Sequence, residues 1–164
     1  MKPKELDSAI AKLLMDRHAD EVNAFYIYRS MSNFLKDIGF FKASAYFAHE
    51  SEDELSHAKH IEDFLVDWNV VPQLGAIAKP ANTFKGLPDC INQAYQMEYD
   101  LYEKYEDTSG KVLDKDICVF DFLKFFREIQ TKSVAEYSDK LNLMDGVKTD
   151  DKFQLLMLEK KLFS

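Results

Sequence analysis

The stretch from Glu50 to His60, ESEDELSHAKH, places ionisable side chains within a helical stripe that is otherwise apolar. Glu54 and His57 are three residues apart, so both side chains leave the same face of a helix. Helical steps from Glu54 in both directions reach Glu50 and a set of apolar residues: Ala43, Phe47, Ala58, Ile61 and Leu65. A buried ion without a partner costs several kcal/mol, so the burial of this pair requires a compensating interaction. A carboxylate oxygen and an imidazole nitrogen on one helical face suit a metal ion, iron in particular.

The pattern of apolar residues predicts an all-α chain with four long helices and a short fifth one. The predicted bounds are about 4–37, 40–68, 87–108, 114–144 and 150–162. Gly39 ends the first helix, and the short connection after it makes the first two helices antiparallel neighbours. Ser109 and Gly110 are predicted to end the third helix.

The segment 69–88 is predicted to be a long crossover between the second and third helices. It contains three of the four prolines and two of the five glycines, a composition that does not support a helix. About 15 extended residues span roughly 50 Å, so the third helix can run parallel to the second. The predicted fold is an all-α four-helix bundle with a long crossover between helices 2 and 3, in one domain over 1–164, with the bundle at about 4–144 and the short fifth helix at about 150–162.

Each long helix carries a polar side chain within its apolar stripe, and the heights of these side chains match. Glu21 lies 18 residues before Gly39 and Glu54 lies 15 residues after it. At a rise of about 1.5 Å per residue, the two lie within roughly one helical turn of each other. Glu98 and Gln130 match in the same way, about 12 residues before and about 15 residues after the next turn. Three carboxylates, one imidazole and one amide around one point predict a two-metal site between facing helices.

Each of these polar residues also has a purely structural explanation. Glu21 can form a salt bridge with Arg17, one helical turn away. Glu54 can simply pair with His57, and Gln130 can be a core amide whose hydrogen bonds are satisfied. Polar groups at one level of all four helices favour the metal site over these separate explanations.

Tyr28 lies seven residues after Glu21 on the same face, where it would stand over the metals. It is predicted to be a hydrogen-bonding or redox neighbour of the site, with core packing as the alternative. The tyrosines of the third helix are predicted to be core residues. The other histidines are predicted to be exposed or capping residues: His18, His49 and His60. An acidic face of the second helix is predicted to be solvated: Glu50, Glu52 and Asp53.

Composition narrows the possible functions. Apolar residues make up 46% and charged residues 30% of the chain, and a net charge of −8 argues against nucleic-acid binding and suits cations. Cys90 and Cys118 form no CxxC pair and are predicted to be reduced thiols rather than a disulfide. The N-terminus carries charges throughout, and no stretch reaches the ~20 apolar residues of a membrane span. We therefore expect a cytoplasmic protein with no signal peptide and no membrane partner.

On these motifs, the chain resembles a non-haem ferritin of the bacterial type over residues 6–163. The residues that carry the resemblance are Glu21 with Tyr28 in AFYIYRSMS, Glu54-x-x-His57 in ESEDELSHAKH, Glu98 in MEYD and Gln130 in FLKFFREIQ. The resemblance implies that the bundle is ferritin-like and that the chain forms a homo-oligomeric hollow cage of 24 copies. It also implies oxidation of Fe(II) by O₂ or H₂O₂ at a di-iron ferroxidase centre, followed by storage of the ferric mineral.

The resemblance further implies a role for each site residue. Glu21, Glu54 and His57 would hold the first iron. Glu54 would bridge to a second iron that Glu98 also holds, and Gln130 would lie beside the second iron and the bound oxygen.

The chain also departs from related families. The predicted fourth helix has no histidine, unlike that of the bacterioferritins, and Leu55 follows Glu54 where a haem ligand would be methionine, so no haem is expected. Many bacterial non-haem ferritins bind a third iron through acidic residues of the fourth helix, but the corresponding residues here are not acidic: Ile129, Lys132 and Ser133. A third iron near Asp53 is therefore not expected. Two other functions stay open, a small di-iron oxidase or peroxidase that stores no iron, and a structural cage subunit with an inactive site.

Overall fold

In the computed structural model, which describes residues 4–164, the chain forms five α-helices. They are α1 (Ser8–Asp37), α2 (Phe41–Asp67), α3 (Leu87–Val112), α4 (Ile117–Met144) and α5 (Lys152–Leu162). These residues contain no β-strand, so the predicted all-α fold is confirmed. No helix in this range is both long enough and apolar enough to cross a bilayer. Residues 1–3 of the predicted domain lie outside the described part of the chain.

The turn between α1 and α2 makes them antiparallel neighbours. α1 begins later than predicted because Asp7 caps it, accepting hydrogen bonds from two backbone N–H groups of the first turn at 2.9 and 3.1 Å. At its other end, Gly39 has a φ of +89°, a left-handed conformation that favours glycine. The N–H of Phe40 then donates to the carbonyl of Leu35 at 2.8 Å, and α2 starts at once. The predicted pairing of the first two helices is therefore confirmed.

The crossover between α2 and α3, residues 68–86, contains no helix or strand, as predicted. It is fixed to α1, because the Ser30 hydroxyl donates to the carbonyl of Ala81 and the rings of Phe34 and Phe84 lie 5.3 Å apart. The N-terminal halves of α2 and α3 share one core cluster. The crossover therefore returns the chain to the starting end of α2, and α3 runs parallel to α2.

The end of α3 differs from the prediction, because the helix continues through Ser109 and Gly110. Arg127 donates to the Ser109 hydroxyl at 2.7 Å, and Arg17 donates to the Thr108 hydroxyl at 2.8 Å. Thr108 and Ser109 are buried by these contacts. The two hydrogen bonds and the burial of these residues outweigh the cost of about 1 kcal/mol for the glycine that follows within the helix.

The apolar core is divided into two clusters, one toward each end of the bundle. One cluster includes Tyr28, Met31, Leu35, Phe47, Ile91 and Tyr137. The other includes Leu14, Ile61, Leu65, Tyr105, Val119, Leu123 and Phe126. On every long helix a buried polar residue separates the two clusters: Glu21, Glu54, Glu98 and Gln130. A polar layer therefore crosses the bundle near mid-length.

The short helix α5 packs against the turn between α1 and α2. Lys152 donates to the carbonyl of Ile38 at 2.6 Å. The carboxylate of Glu159 accepts a hydrogen bond from the N–H of Ala43 at 2.9 Å, which satisfies a backbone donor in the first turn of α2. The apolar side of α5 is buried in the core cluster that contains Tyr28: Leu155, Leu158 and Leu162.

Candidate metal centre

All five predicted metal ligands lie in the polar layer of the bundle. Glu21 comes from α1, Glu54 and His57 from α2, Glu98 from α3 and Gln130 from α4. The three carboxylates and the amide are buried, and His57 is half-buried. The side chains form two groups that face each other across the layer.

The first group consists of Glu21, Glu54 and His57. One potential ligand atom from each residue lies within 4.8 Å of the other two. The Nδ1 atom of His57 is 3.3 Å from Glu54 Oε2 and 3.5 Å from Glu21 Oε2. The hydroxyl of Tyr105, on α3, donates to Glu21 Oε1. Glu21 Oε2 makes no hydrogen bond to any described residue, so it is available to a cation.

The second group is built around Glu98. The amide of Gln130 donates to Glu98 Oε2 at 2.7 Å, and the hydroxyl of Tyr28 donates to Glu98 Oε1. Tyr28 therefore forms a hydrogen bond with a predicted ligand, and its role as a neighbour of a metal stays a prediction. The other end of the amide, Gln130 Oε1, is buried and has no hydrogen-bond partner among the described residues. Buried polar atoms without a partner are uncommon, and a metal ion would satisfy this oxygen.

The protonation of the acids follows from their burial and from their mutual repulsion. Burial raises the pKa of Glu54 well above its ordinary value, and the charge of Glu21 raises it further. Burial also acts on Glu21, but its interactions with Glu54 and His57 outweigh burial and lower its pKa. Of these two acids, Glu54 therefore holds a proton more readily than Glu21. Burial raises the pKa of Glu98 as well. A divalent cation in the layer would replace these protons as the compensating charge.

The other titratable groups of the centre stay in forms that support the carboxylates. Burial lowers the pKa of His57, but its interaction with Glu21 outweighs burial and the pKa is raised. Burial raises the pKa of Tyr28 well above its ordinary value, and so does the charge of Glu98. Burial and the charge of Glu21 do the same to Tyr105. Both phenols therefore stay protonated and act as hydrogen-bond donors.

The structure rules out one of the structural explanations for Glu21. Arg17 pairs with Asp20 at 2.8 Å and donates to the Thr108 hydroxyl, and no ion pair joins it to Glu21 within residues 4–164. The buried stripe of α1 passes through His18 rather than through Arg17. The prediction of an exposed or capping His18 is therefore wrong, since its Nε2 lies 2.8 Å from a carboxylate oxygen of Glu62 within the helix pair. His49 and His60 are exposed, as predicted.

The contact of one residue with the centre was not predicted, and the burial of another was predicted wrongly. Tyr105 is a core residue, as expected, but its hydroxyl also binds Glu21. It lies seven residues after Glu98, the same spacing as Tyr28 after Glu21, and this repeated spacing was the available signal. Glu50 was expected to be solvated but is half-buried. Burial and the charges of nearby acids raise its pKa from 4.5 to about 7.

Other predicted positions lie at the edge of the centre. Ile129 and Ser133 are half-buried and Lys132 is exposed, so α4 offers no acid at the three positions considered for a third iron. His49, Glu50 and Asp53 form a second group of potential ligands, but exposed acidic groups of this kind are common without an ion. Outside the centre, Cys90 is buried and Cys118 is exposed, and both are free thiols, as predicted.

A bundle of four long helices that buries carboxylates, an imidazole and an amide in one layer is typical of carboxylate-rich metal proteins. Comparison with known proteins places the chain within this class. A family model described as a ferritin-like domain matches residues 11–147, and the chain belongs to the ferritin family.

Two relatives match most of the chain at low identity. A probable bacterial non-heme ferritin-like protein of Haemophilus influenzae is 25% identical over 158 residues, which are 96% of this chain and 95% of the relative. A bacterial non-heme ferritin of Campylobacter jejuni is 28% identical over 144 residues, which are 85% of this chain and 86% of the relative. The predicted resemblance to a non-haem ferritin is therefore confirmed.

A solved structure shares the fold. The open pore ferritin of the hyperthermophilic archaeon Archaeoglobus fulgidus superposes with a TM-score of 0.87 at 23% identity, covering 96% of this chain and 98% of that chain. The likeness includes the crossover and the short α5, because both chains are matched almost from end to end.

Proposed function

We propose that this protein stores iron and oxidises Fe(II) to Fe(III) at the centre in its polar layer. The observation that carries the proposal is the pair of buried oxygens, Glu21 Oε2 and Gln130 Oε1, that lack hydrogen-bond partners within residues 4–164. They belong to a layer of carboxylate, imidazole and amide donors, the ligand types that bind iron. Membership of the ferritin family and relatives named non-heme ferritins support iron as the metal.

In this proposal the two groups of side chains bind two Fe(II) ions as substrates. Glu21, Glu54 and His57 hold the first iron. Glu54 also reaches the second iron, which Glu98 holds from the opposite side, and Gln130 stands beside it. The shift of the Glu54 pKa by the charges of both Glu21 and Glu98 supports a bridging position.

The chain's own groups move protons and hold ligands in place. Glu54 gives up its proton when iron arrives, because the cation then compensates the buried charges. Tyr28 and Tyr105 each hold one oxygen of Glu98 and Glu21, so the remaining oxygens keep their orientation toward the iron. Each Fe(II) loses one electron to O₂ or H₂O₂, and the carboxylates stabilise the higher charge of the ferric product. Tyr28 also stays a candidate redox neighbour.

The proposal extends to assembly. Copies of this single-domain chain would form a homo-oligomeric hollow cage, with 24 chains as the expected number, and the ferric mineral would collect inside. The archaeal neighbour, described as an open pore ferritin, supports a cage. A net charge of −8 suits a protein that attracts cations and has no nucleic-acid partner. We place it in the cytoplasm, without haem.

The test is aerobic oxidation of Fe(II) by the purified, iron-free protein. We expect a fast phase of Fe(III) formation that is lost in Glu54→Ala, while Glu103→Ala, which removes an exposed acid of α3, behaves like the parent. The iron that remains with the protein after gel filtration is then measured, and negative-stain micrographs are examined for hollow particles.

The outcomes separate the competing functions. Fast oxidation with retained iron in hollow particles supports storage. Fast oxidation with iron released to solution favours a small di-iron oxidase instead. Oxidation no faster than in buffer, in particles that are nonetheless hollow, favours a structural cage subunit and contradicts the proposal.

A further inference from the structure

Lys140 on α4 lies inside the bundle, although lysine is rarely buried. Among the lysines of residues 4–164 it is the only one that is buried, with 6% of its surface exposed. Its ammonium lies 2.5 Å from a carboxylate oxygen of Glu136. It also lies 4.7 Å from the ring centre of Tyr46 and 5.6 Å from those of Tyr137 and Phe163. Aromatic faces at such distances stabilise a cation.

This lysine is one aromatic layer away from the candidate metal centre. The Tyr137 ring contacts the Lys140 ammonium on one side, and it stacks on the Tyr28 ring at 6.5 Å on the other. Tyr28 in turn donates to Glu98. The Tyr137 hydroxyl is buried without a hydrogen-bond partner among the described residues. The rings of Tyr137 and Tyr28 therefore connect the Lys140 ammonium to Glu98.

A row of ionisable side chains on α2 leads from the centre to Lys140. Tyr46, Glu50 and Glu54 follow at four-residue steps on one face of α2. The Tyr46 hydroxyl donates to Glu136 at 2.8 Å, so α2 meets α4 beside Lys140. The charges of Glu98 and Glu136 both act on the half-buried Glu50, and the charge of Lys140 opposes them. We call this region, formed by Tyr46, Glu50, Glu136 and Lys140, the α2–α4 groove.

We propose that the Lys140 ammonium is a built-in counter-cation of the α2–α4 groove that keeps a third divalent cation out of it. Carboxylate and hydroxyl oxygens are the ligands of hard divalent cations, and the groove supplies them from Glu50, Glu136 and Tyr46. The ammonium already occupies the position between Glu136 and the rings. A divalent ion next to it would face strong repulsion, because the surroundings screen charge poorly.

A purely structural role of Lys140 makes a different prediction. The Phe163 ring, just after α5, contacts both Lys140 and Tyr46, so the lysine could serve only to fix the chain end. In that case loss of the ammonium would loosen α5 and leave the number of bound cations unchanged. The inference rests on the proposed metal centre, so the experiment counts cations in the parent as well.

The experiment measures Co(II) bound per chain to the iron-free, assembled protein without oxygen, by equilibrium dialysis and by the visible absorption of Co(II). The variants are Lys140→Gln and Lys140→Met, which remove the charge, and Lys140→Arg, which keeps it. Lys124→Gln is the matched control, because Lys124 is an exposed lysine of the same helix that also pairs with a glutamate four residues away. Thermal unfolding identifies any variant that does not fold. If one of the two neutral variants fails to fold, Co(II) binding is measured on the other.

We expect two Co(II) per chain in the parent, in Lys140→Arg and in Lys124→Gln, and three in Lys140→Gln and Lys140→Met. Adding Glu136→Gln to Lys140→Gln should return the number to two. Adding Asp53→Asn should leave it at three, since Asp53 belongs to the exposed group around His49.

The contrary outcomes are distinct. Folded neutral variants that bind two Co(II), or a parent that binds three, would overturn the inference and leave the proposed centre in place. Loss of the third ion with Asp53→Asn would overturn it too, because the ion would then lie on the exposed group. A parent that binds fewer than two would instead contradict the proposed function.

Discussion

Tyr105 on α3 donates its phenolic hydrogen to Glu21 on α1, and Tyr28 on α1 donates to Glu98 on α3. Each tyrosine lies seven residues after the glutamate of its own helix and binds the glutamate of the other helix. The two helices therefore exchange equivalent bonds across the polar layer. This reciprocal arrangement fixes one oxygen of each carboxylate and leaves the other oxygen of Glu21 free of hydrogen bonds.

The Tyr105 bond should contribute to both stability and metal binding. We expect Tyr105→Phe to lower the free energy of unfolding of the iron-free protein by about 1–3 kcal/mol, because a buried carboxylate loses a donor. Its affinity for Co(II) should fall as well, since Glu21 is less firmly oriented. Urea unfolding and Co(II) titration measure the two effects. Tyr102→Phe, the same change at a half-buried tyrosine of α3, is the control. Equal values for both variants would show that the bond contributes nothing.

Removing Glu54, the acid proposed to bridge the two irons, should cost activity without costing stability. Glu54→Gln keeps the volume of the side chain and removes an acid that burial and the charge of Glu21 disfavour in its ionised form. We expect the iron-free variant to unfold with a free energy equal to that of the parent or higher by about 1 kcal/mol. Its fast phase of iron oxidation should be lost. A clear drop in the unfolding temperature of the iron-free form would contradict this explanation of the site.

The iron-free protein should lose stability as the pH rises from about 4.5 toward 7. Burial raises the pKa of Glu50 from 4.5 to about 7, so the folded state binds more protons than the unfolded state in this range. The contribution of Glu50 protonation to the stability of the folded state is therefore complete below pH 4.5, and it is lost as the pH rises through about 7. Glu54, whose pKa is also raised, acts in the same direction. Chemical unfolding across this range should give a flatter profile for Glu50→Gln than for the parent, and an unchanged profile for Glu103→Gln.

Assembly should depend on the outward side of α5. Phe153 and Met157 are 72% and 51% exposed, whereas the opposite side of the helix is buried in the bundle. We expect Phe153→Ser combined with Met157→Ser to leave the fold intact and to prevent formation of large particles, because apolar surface of this size needs a cover. Size-exclusion chromatography measures particle size. Leu158→Ser is the contrasting variant and should lower the unfolding temperature. Normal large particles from the double variant would disprove the prediction.

Iron loading should stop at two ions per chain in the fast phase. The fourth helix carries Ile129, Lys132 and Ser133 at the positions considered for a third site, and Lys132 is exposed rather than directed inward. Crystals soaked in Fe(II) without oxygen should therefore show two well-occupied iron positions. A third well-occupied iron coordinated near Asp53 would disprove this prediction.

Helix geometry applied to the sequence is enough to predict which residues share a face and at what height each polar residue lies. The step between Glu54 and His57 and the distance of Glu21 from Gly39 depend only on the local geometry of a helix. The prolines of the crossover likewise predict that this segment forms no helix, because proline restricts the backbone locally. Its length then allows the third helix to run parallel to the second. These local quantities were enough to predict the bundle and to bring the candidate ligands into one layer, while their role in binding iron stays a prediction.

Tertiary structure alone decided the partners of these residues. Gly110 lies within α3 because Arg127 and Arg17 hold the residues before it, and both arginines come from other helices. Tyr105 binds Glu21 because α1 and α3 pack together, and Glu50 is shielded from water because other helices cover it. Hydrogen-bond partners and burial depend on groups far apart along the chain. The spacing of residues within one helix indicates which of them share a face, but it does not identify their partners on another helix.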